Sequence, residues 1–207
     1  MTAGTTSATS PTIDRSDFRH ILVSGTKIGL VIALAVIVCI AVSGFVPAGI
    51  VRALLQTIVV LAAGVAATFL PAHWATARTT QGIAGAAAIG LWGTIVFMAI
   101  DIVLLRPLNA FPWTWDAVGG GSTWWYLPLW WMLGTFVAWM GALVTAGRAA
   151  RGGDVSLRAL ALPVVIGAAA IGAGLAVGRL AYLPVAAGAG FSLALTVFAV
   201  VAIARKS

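Results

Sequence analysis

Asp101 is the only acidic residue set inside a long apolar run, the stretch from Ile83 to Leu105. An ionisable group there is costly in lipid, so it marks either a structural ion pair or helix tie, or a site for a cation or polar substrate. On a helix advancing about 100° per residue, Ile83, Ala87, Gly90 and Thr94 fall within roughly 40° of Asp101. The carboxylate therefore heads a column of mostly small residues, and Thr94 is the second candidate contact. Arg106 points about 140° away, which leaves Arg52 and Arg179, from other helix ends, as the expected ion-pair partners. With no second acid or histidine in the run, a proton relay is disfavoured.

The other unusual concentration is aromatic. Trp113, Trp115, Trp124, Trp125, Trp130 and Trp131 place six of the nine tryptophans within 19 residues, beside Phe111 and Tyr126. Amphipathic rings settle at the headgroup level, so an aromatic belt is the plain reading. Two features strain it: the rings sit on one loop, 107–123, and the start of one run, and the loop also holds Pro107, Pro112, Asp116 and the run Gly119 to Gly121. Such a loop could fold back as a lid whose ring faces receive a cation, a ring or an isoprenoid tail. It could equally dock a neighbouring membrane subunit, since Trp and Tyr dominate interaction hot spots. The candidate contacts are therefore Asp101, Thr94, Trp113, Trp115, Asp116, Trp124, Trp125 and Tyr126.

Other chemistries lack a required part. His20 and His73 both fall outside the apolar runs, so bis-histidine haem inside a bundle is disfavoured and no metal site is expected. Gly119, Gly120, Gly121, Ser122 and Thr123 superficially resemble a phosphate-cradling loop, but no Lys follows and no strand precedes. There is no G-x-S-x-G elbow and no nucleophile–base pair, so no catalytic residue is named. Cys39 is the single cysteine, and the sequence specifies no cofactor.

The elements that position these residues follow from composition. With 61% hydrophobic and 8% charged residues in 207, the chain has too little polar surface to cover a soluble globule. A spanning helix needs about 20 mainly apolar residues, and cutting the chain at its charges, prolines and turn residues gives six runs: 28–46, 53–70, 83–105, 124–144, 160–177 and 183–203. None alternates polar with apolar, so helices rather than barrel strands are expected. Merging the last two across 178–182 would need about 45 residues in one helix, too many for a bilayer. The expected fold is an all-α polytopic transmembrane bundle: a disordered cytoplasmic tail over 1–13, then one six-helix domain over 14–207. The first run is longer than a signal peptide's apolar core, so the tail is expected to be retained. Residues 14–20 form either a short juxtamembrane helix or an extension of the first span.

The net charge of +7 comes from single cations between the apolar runs, which argues against a nucleic-acid surface. With both termini inside, nine of the twelve cations fall on the cytoplasmic side, leaving Arg52, Arg106 and Arg179 outside. That asymmetry predicts an N-in/C-in topology; a bacterial-type inner membrane is the expected host.

Helices in lipid associate through small residues that let backbones approach. Such residues recur every fourth position: Gly82, Ala86 and Gly90; Gly134, Ala138 and Ala142; Ala170, Gly174 and Gly178; Ala186, Gly190 and Ala194. The size and layout resemble the substrate-capture subunits of energy-coupling-factor vitamin importers, with no diagnostic motif and no residue role to carry across. Prolines 47, 71, 107, 112, 128, 163 and 184 lie at or near run ends, whereas transporters break helices mid-membrane. The expectation is thus a non-enzymatic accessory or assembly subunit whose partners are the bilayer and other membrane subunits or copies of itself. The alternative is a small-molecule permease or capture protein with the Trp-rich loop as lid. A weaker third reading is a lipid-directed enzyme using Arg148, Arg151 and Arg158.

Overall fold

The computed structural model describes residues 17–105, 126–177 and 182–205. Six helices are long and apolar enough to cross a membrane. They are α1 (Phe18–Phe45), α2 (Ile50–Trp74), α3 (Thr80–Ile100, continued by a π-helical turn Asp101–Leu105), α4 (Tyr126–Ala149), α5 (Leu157–Leu175) and α6 (Leu183–Ala204). No strand occurs among the described residues. The protein is an all-α, multi-pass integral membrane protein, and the bilayer is its solvent.

Each helix contains most of one expected run, and all six continue further at the same end, where Phe18, Trp74, Thr80, Ala149, Leu157 and Ala204 lie. The reason is physical. Cutting at charges finds the hydrocarbon-embedded part, while the backbone ladder continues into the headgroup layer, where the exposed Arg19 and Arg158 keep their charges wet. The effect is largest in α1, whose 28 residues span about 42 Å against about 30 Å of hydrocarbon. Of the two readings of 14–20, the described part, from Phe18 on, is an extension of the first span.

Local chemistry sets several ends. Thr79 caps α3 by accepting from Gly82 N–H at 3.2 Å. Ser156 caps α5 by accepting from Ala159 N–H at 3.4 Å, and Asp154 accepts from the Ser156 hydroxyl and amide at 2.6 and 2.8 Å. Pro184 opens α6, where the missing N–H costs nothing.

The strongest packing joins α5 to α6, α1 to α3, and α3 to α4, with α2 lying against α1, α4 and α6. The α1–α3 pair is parallel: a Cβ at Gly25 would meet Trp92, and one at Gly29 would meet the Gly93 carbonyl oxygen at 2.7 Å. Lower down the chain, α5 and α6 meet antiparallel through Gly172 on Ala187 and Gly190 on the Ala168 carbonyl. Polar ties also join the described helices. Trp92 Nε1 donates to Thr26 Oγ1 at 3.2 Å between α3 and α1. Gln56 Nε2 donates to Ser43 Oγ at 2.8 Å between α2 and α1. Arg148 donates to the Ala159 carbonyl at 3.1 Å, bridging α4 to α5, and Lys27 stands 5.9 Å over the Trp74 ring. Large side chains such as Leu34, Ile58, Ile166 and Val197 face outward, as lipid contact requires.

Candidate functional site

Asp101 stands where α3 stops being α-helical. Its amide reaches the carbonyls of both Phe97 and Met98, and the π turn begins with it. Such a turn rotates the side chains that follow, a device frequent at functional sites. The carboxylate residue is 2% exposed. Close to it in the chain, Phe97, Met98 and Leu105 form a cluster with Ala33 of α1 and the half-buried Trp130 of α4. Phe97 and Trp130 meet edge-on, centroids 5.8 Å apart and planes at 65°. Of the expected ion-pair partners, Arg52 directs Nε–H to the Val46 carbonyl at 2.7 Å, closing the α1–α2 turn. Arg106 and Arg179 lie outside the described residues.

Thr94 is buried about 10 Å along the axis from Asp101. Its hydroxyl donates to the Gly90 carbonyl at 2.9 Å. A Cβ placed on Gly134 of α4 would land on that hydroxyl oxygen, and a Cβ on Gly90 would stand 2.5 Å from Ala138 Cβ and 2.6 Å from the Gly134 carbonyl. Over Gly90 and Thr94 the column of small residues is therefore filled by α4 itself. The structure brings Thr94, Gly90, Gly134 and Ala138 together as one helix contact.

The remaining candidates divide. Trp113, Trp115, Asp116, Trp124 and Trp125 lie outside the described residues, and Tyr126 is described only as the first residue of α4. Ala86 is fully buried where α3 meets its neighbours. Gly82 serves a turn rather than a helix partner: its Cβ would stand 2.5 Å from the Thr76 carbonyl oxygen and 2.9 Å from that of Ala75. Gly174 makes no contact of this kind within the described residues. It is exposed, with nothing within 4 Å of an added Cβ, because Gly172, 200° away around the helix, makes the α5–α6 contact instead.

A further feature is only weakly marked in the sequence. Where α2, α4 and α5 diverge at the end bearing Trp74 and Leu157, a cavity of about 360 Å³ opens, lined among others by Phe69, His73, Arg78, Thr145, Leu157 and Leu160. Arg78 and His73 are exposed at its rim, whereas Thr145 is buried and donates to the Gly141 carbonyl at 2.8 Å. Thr76 adopts φ 51°, a left-handed conformation that a β-branched residue rarely takes. That turn sets Arg78 on the cavity wall, with Arg78 N–H donating to the Thr76 carbonyl at 2.6 Å. Beside Phe69 in the chain, the fully buried Thr68 hydroxyl has no hydrogen-bond partner among the described residues. A signal was available only in part: Arg78 is the sole cation between the second and third runs.

Neither a protein-family model, nor a curated protein, nor a solved structure matches this chain. The class that the fold defines is that of multi-pass integral membrane proteins.

Proposed function

We propose that this protein is a non-enzymatic accessory or assembly subunit of a membrane complex, oriented with both termini in the cytoplasm of a bacterial-type inner membrane. The observation that carries this reading is the filling of the column by α4 at Gly90 and Thr94, beneath Asp101. A permease site at Asp101 and Thr94 needs space beside the hydroxyl, and that space is taken by Gly134 of α4. Asp101 then serves as a helix tie at the end of α3. Ala170 and Gly174, both exposed on α5, supply a small-residue face of the kind through which membrane helices approach one another. The Trp-rich loop 107–123, with Trp124, Trp125 and Tyr126, is the second contact in this reading, aromatic rings being favoured anchors.

Native mass spectrometry of the protein, gently extracted from its own membrane, tests the proposal. A stoichiometric protein partner, lost when Trp124 and Trp125 are both replaced by Leu, is the expected result. An isolated chain carrying a discrete small molecule would overturn it in favour of capture or transport.

A further inference from the structure

We propose that the cavity between α2, α4 and α5 seats the headgroup of an anionic phospholipid drawn from the surrounding bilayer. The argument begins with depth. Phe69 lies five residues inside the end of α2 at Trp74, about 8 Å down the axis, and Leu160 lies three residues inside the start of α5. The cavity thus occupies the layer where headgroups meet acyl chains. Its lining is graded in the same sense. Arg78 and His73 are exposed at the mouth, while Phe69, Ala72, Ala77 and Leu160 are buried and apolar.

Charge selects the head. The nearby Arg148 is committed to the Ala159 carbonyl, but the Arg78 guanidinium makes no hydrogen bond or ion pair with any described residue. It offers a planar fork suited to a phosphodiester. Asp154, in the α4–α5 loop, is turned to Ser156, so its negative charge is engaged there. Volume selects the occupant. A cavity of about 360 Å³ exceeds what a bare phosphate fills and accommodates a phosphoglycerol unit with the first methylenes of its chains. Water-soluble anions would gain nothing from the apolar walls, whereas a lipid gains from both. The left-handed Thr76 holds this geometry at a backbone cost that a simple connecting turn does not require.

The test is a native mass spectrometric titration of the full-length protein in detergent with phosphatidylglycerol and, separately, phosphatidylcholine of identical chains. Expected is one phosphatidylglycerol bound about tenfold more tightly than the first phosphatidylcholine, the scale of one charge-assisted hydrogen bond. Arg78→Gln should abolish that preference, and Leu157→Trp, which narrows the mouth, should lower occupancy of the site. Arg151→Gln, on the exposed α4–α5 loop, should leave it within about twofold, as expected for a screened surface charge. Equal losses in Arg78→Gln and Arg151→Gln would reduce the effect to diffuse attraction and overturn the proposal. So would equal affinity for both lipids, or saturable glycerol 3-phosphate binding that phosphatidylglycerol fails to displace.

Discussion

Gly134→Ala adds a single methyl to α4 at the place where α3 leaves no room for it. The new Cβ falls on Thr94 Oγ1, stands 3.0 Å from Thr94 Cβ and 3.3 Å from the Gly90 carbonyl oxygen. Threonine in a helix has two accessible χ1 states, so the hydroxyl can swing away, but it then gives up its 2.9 Å bond to Gly90. That loss is worth about 1 kcal/mol. The contact with Thr94 Cβ persists in either rotamer, so the helices must part by a few tenths of an ångström, an overpacking strain of about 1–3 kcal/mol. Against both stands the better helix propensity of alanine, about 1 kcal/mol. The net expectation is a destabilisation of about 1–3 kcal/mol. Unfolding by a denaturing detergent in mixed micelles, followed by circular dichroism, measures it. Thr94→Ala added to Gly134→Ala should recover part of the loss, since residues in contact couple by about 0.5–3 kcal/mol. Gly174→Ala, at a position with open space, should be neutral or slightly stabilising. If Gly134→Ala proved as stable as the parent, or Gly174→Ala as damaging as Gly134→Ala, the filled column would be wrong and with it the case against a permease site.

Three further outcomes are expected. Trp92→Phe keeps the ring against Gly25 but removes the Nε1–H bond to Thr26, and should cost about 0.6 kcal/mol, with a double-mutant cycle against Thr26→Ala isolating the bond. Asp101→Asn, at a 2% exposed position, should lower the detergent melting temperature, as loss of a helix tie requires; an unchanged melting temperature would remove Asp101 from the ties of the bundle. Asp154 has its carboxyl held below the usual range by the Ser156 hydroxyl, then the Ser156 amide, with Arg148 adding a smaller attraction. Because the folded value is the lower one, this stabilisation is present above the ordinary carboxylate range and is lost as pH falls through the depressed value. Thermal melts of the parent and Asp154→Asn should therefore converge in acid; parallel curves at every pH would refute the contribution.

Much of the fold was legible because lipid imposes so simple a demand: about 20 apolar residues per crossing and every backbone group paired within the helix. Apolarity alone located all six helices. It could not locate their ends at the Trp74 side, because hydrogen bonding outlasts hydrophobicity there. Small-residue spacing names a face without naming what meets it. Gly134 and Gly174 look alike in sequence, yet one lies under Thr94 and the other is open. Polar ties were illegible for a related reason: Gln56 with Ser43, and Trp92 with Thr26, join residues 13 and 66 positions apart, and single polar residues carry no periodic signal. The cavity was hidden because it arises from three helix ends diverging, a property of no one segment.

The parallel contact between α1 and α3 bears on how the chain enters its membrane. Helices insert before they associate, in the two-stage view of membrane-protein folding, and translation delivers α1 and α2 before α3. The faces of Gly25 and Gly29 are built to receive Trp92, Gly93 and Val96, so they confront lipid until the third span has emerged. Meanwhile the Gln56–Ser43 bond and the Lys27–Trp74 contact, one nearer each end of the first hairpin, join its two helices along with the Arg52–Val46 bond at the turn. The seam between α1 and α3 is thus completed by a segment that follows the first hairpin in the chain.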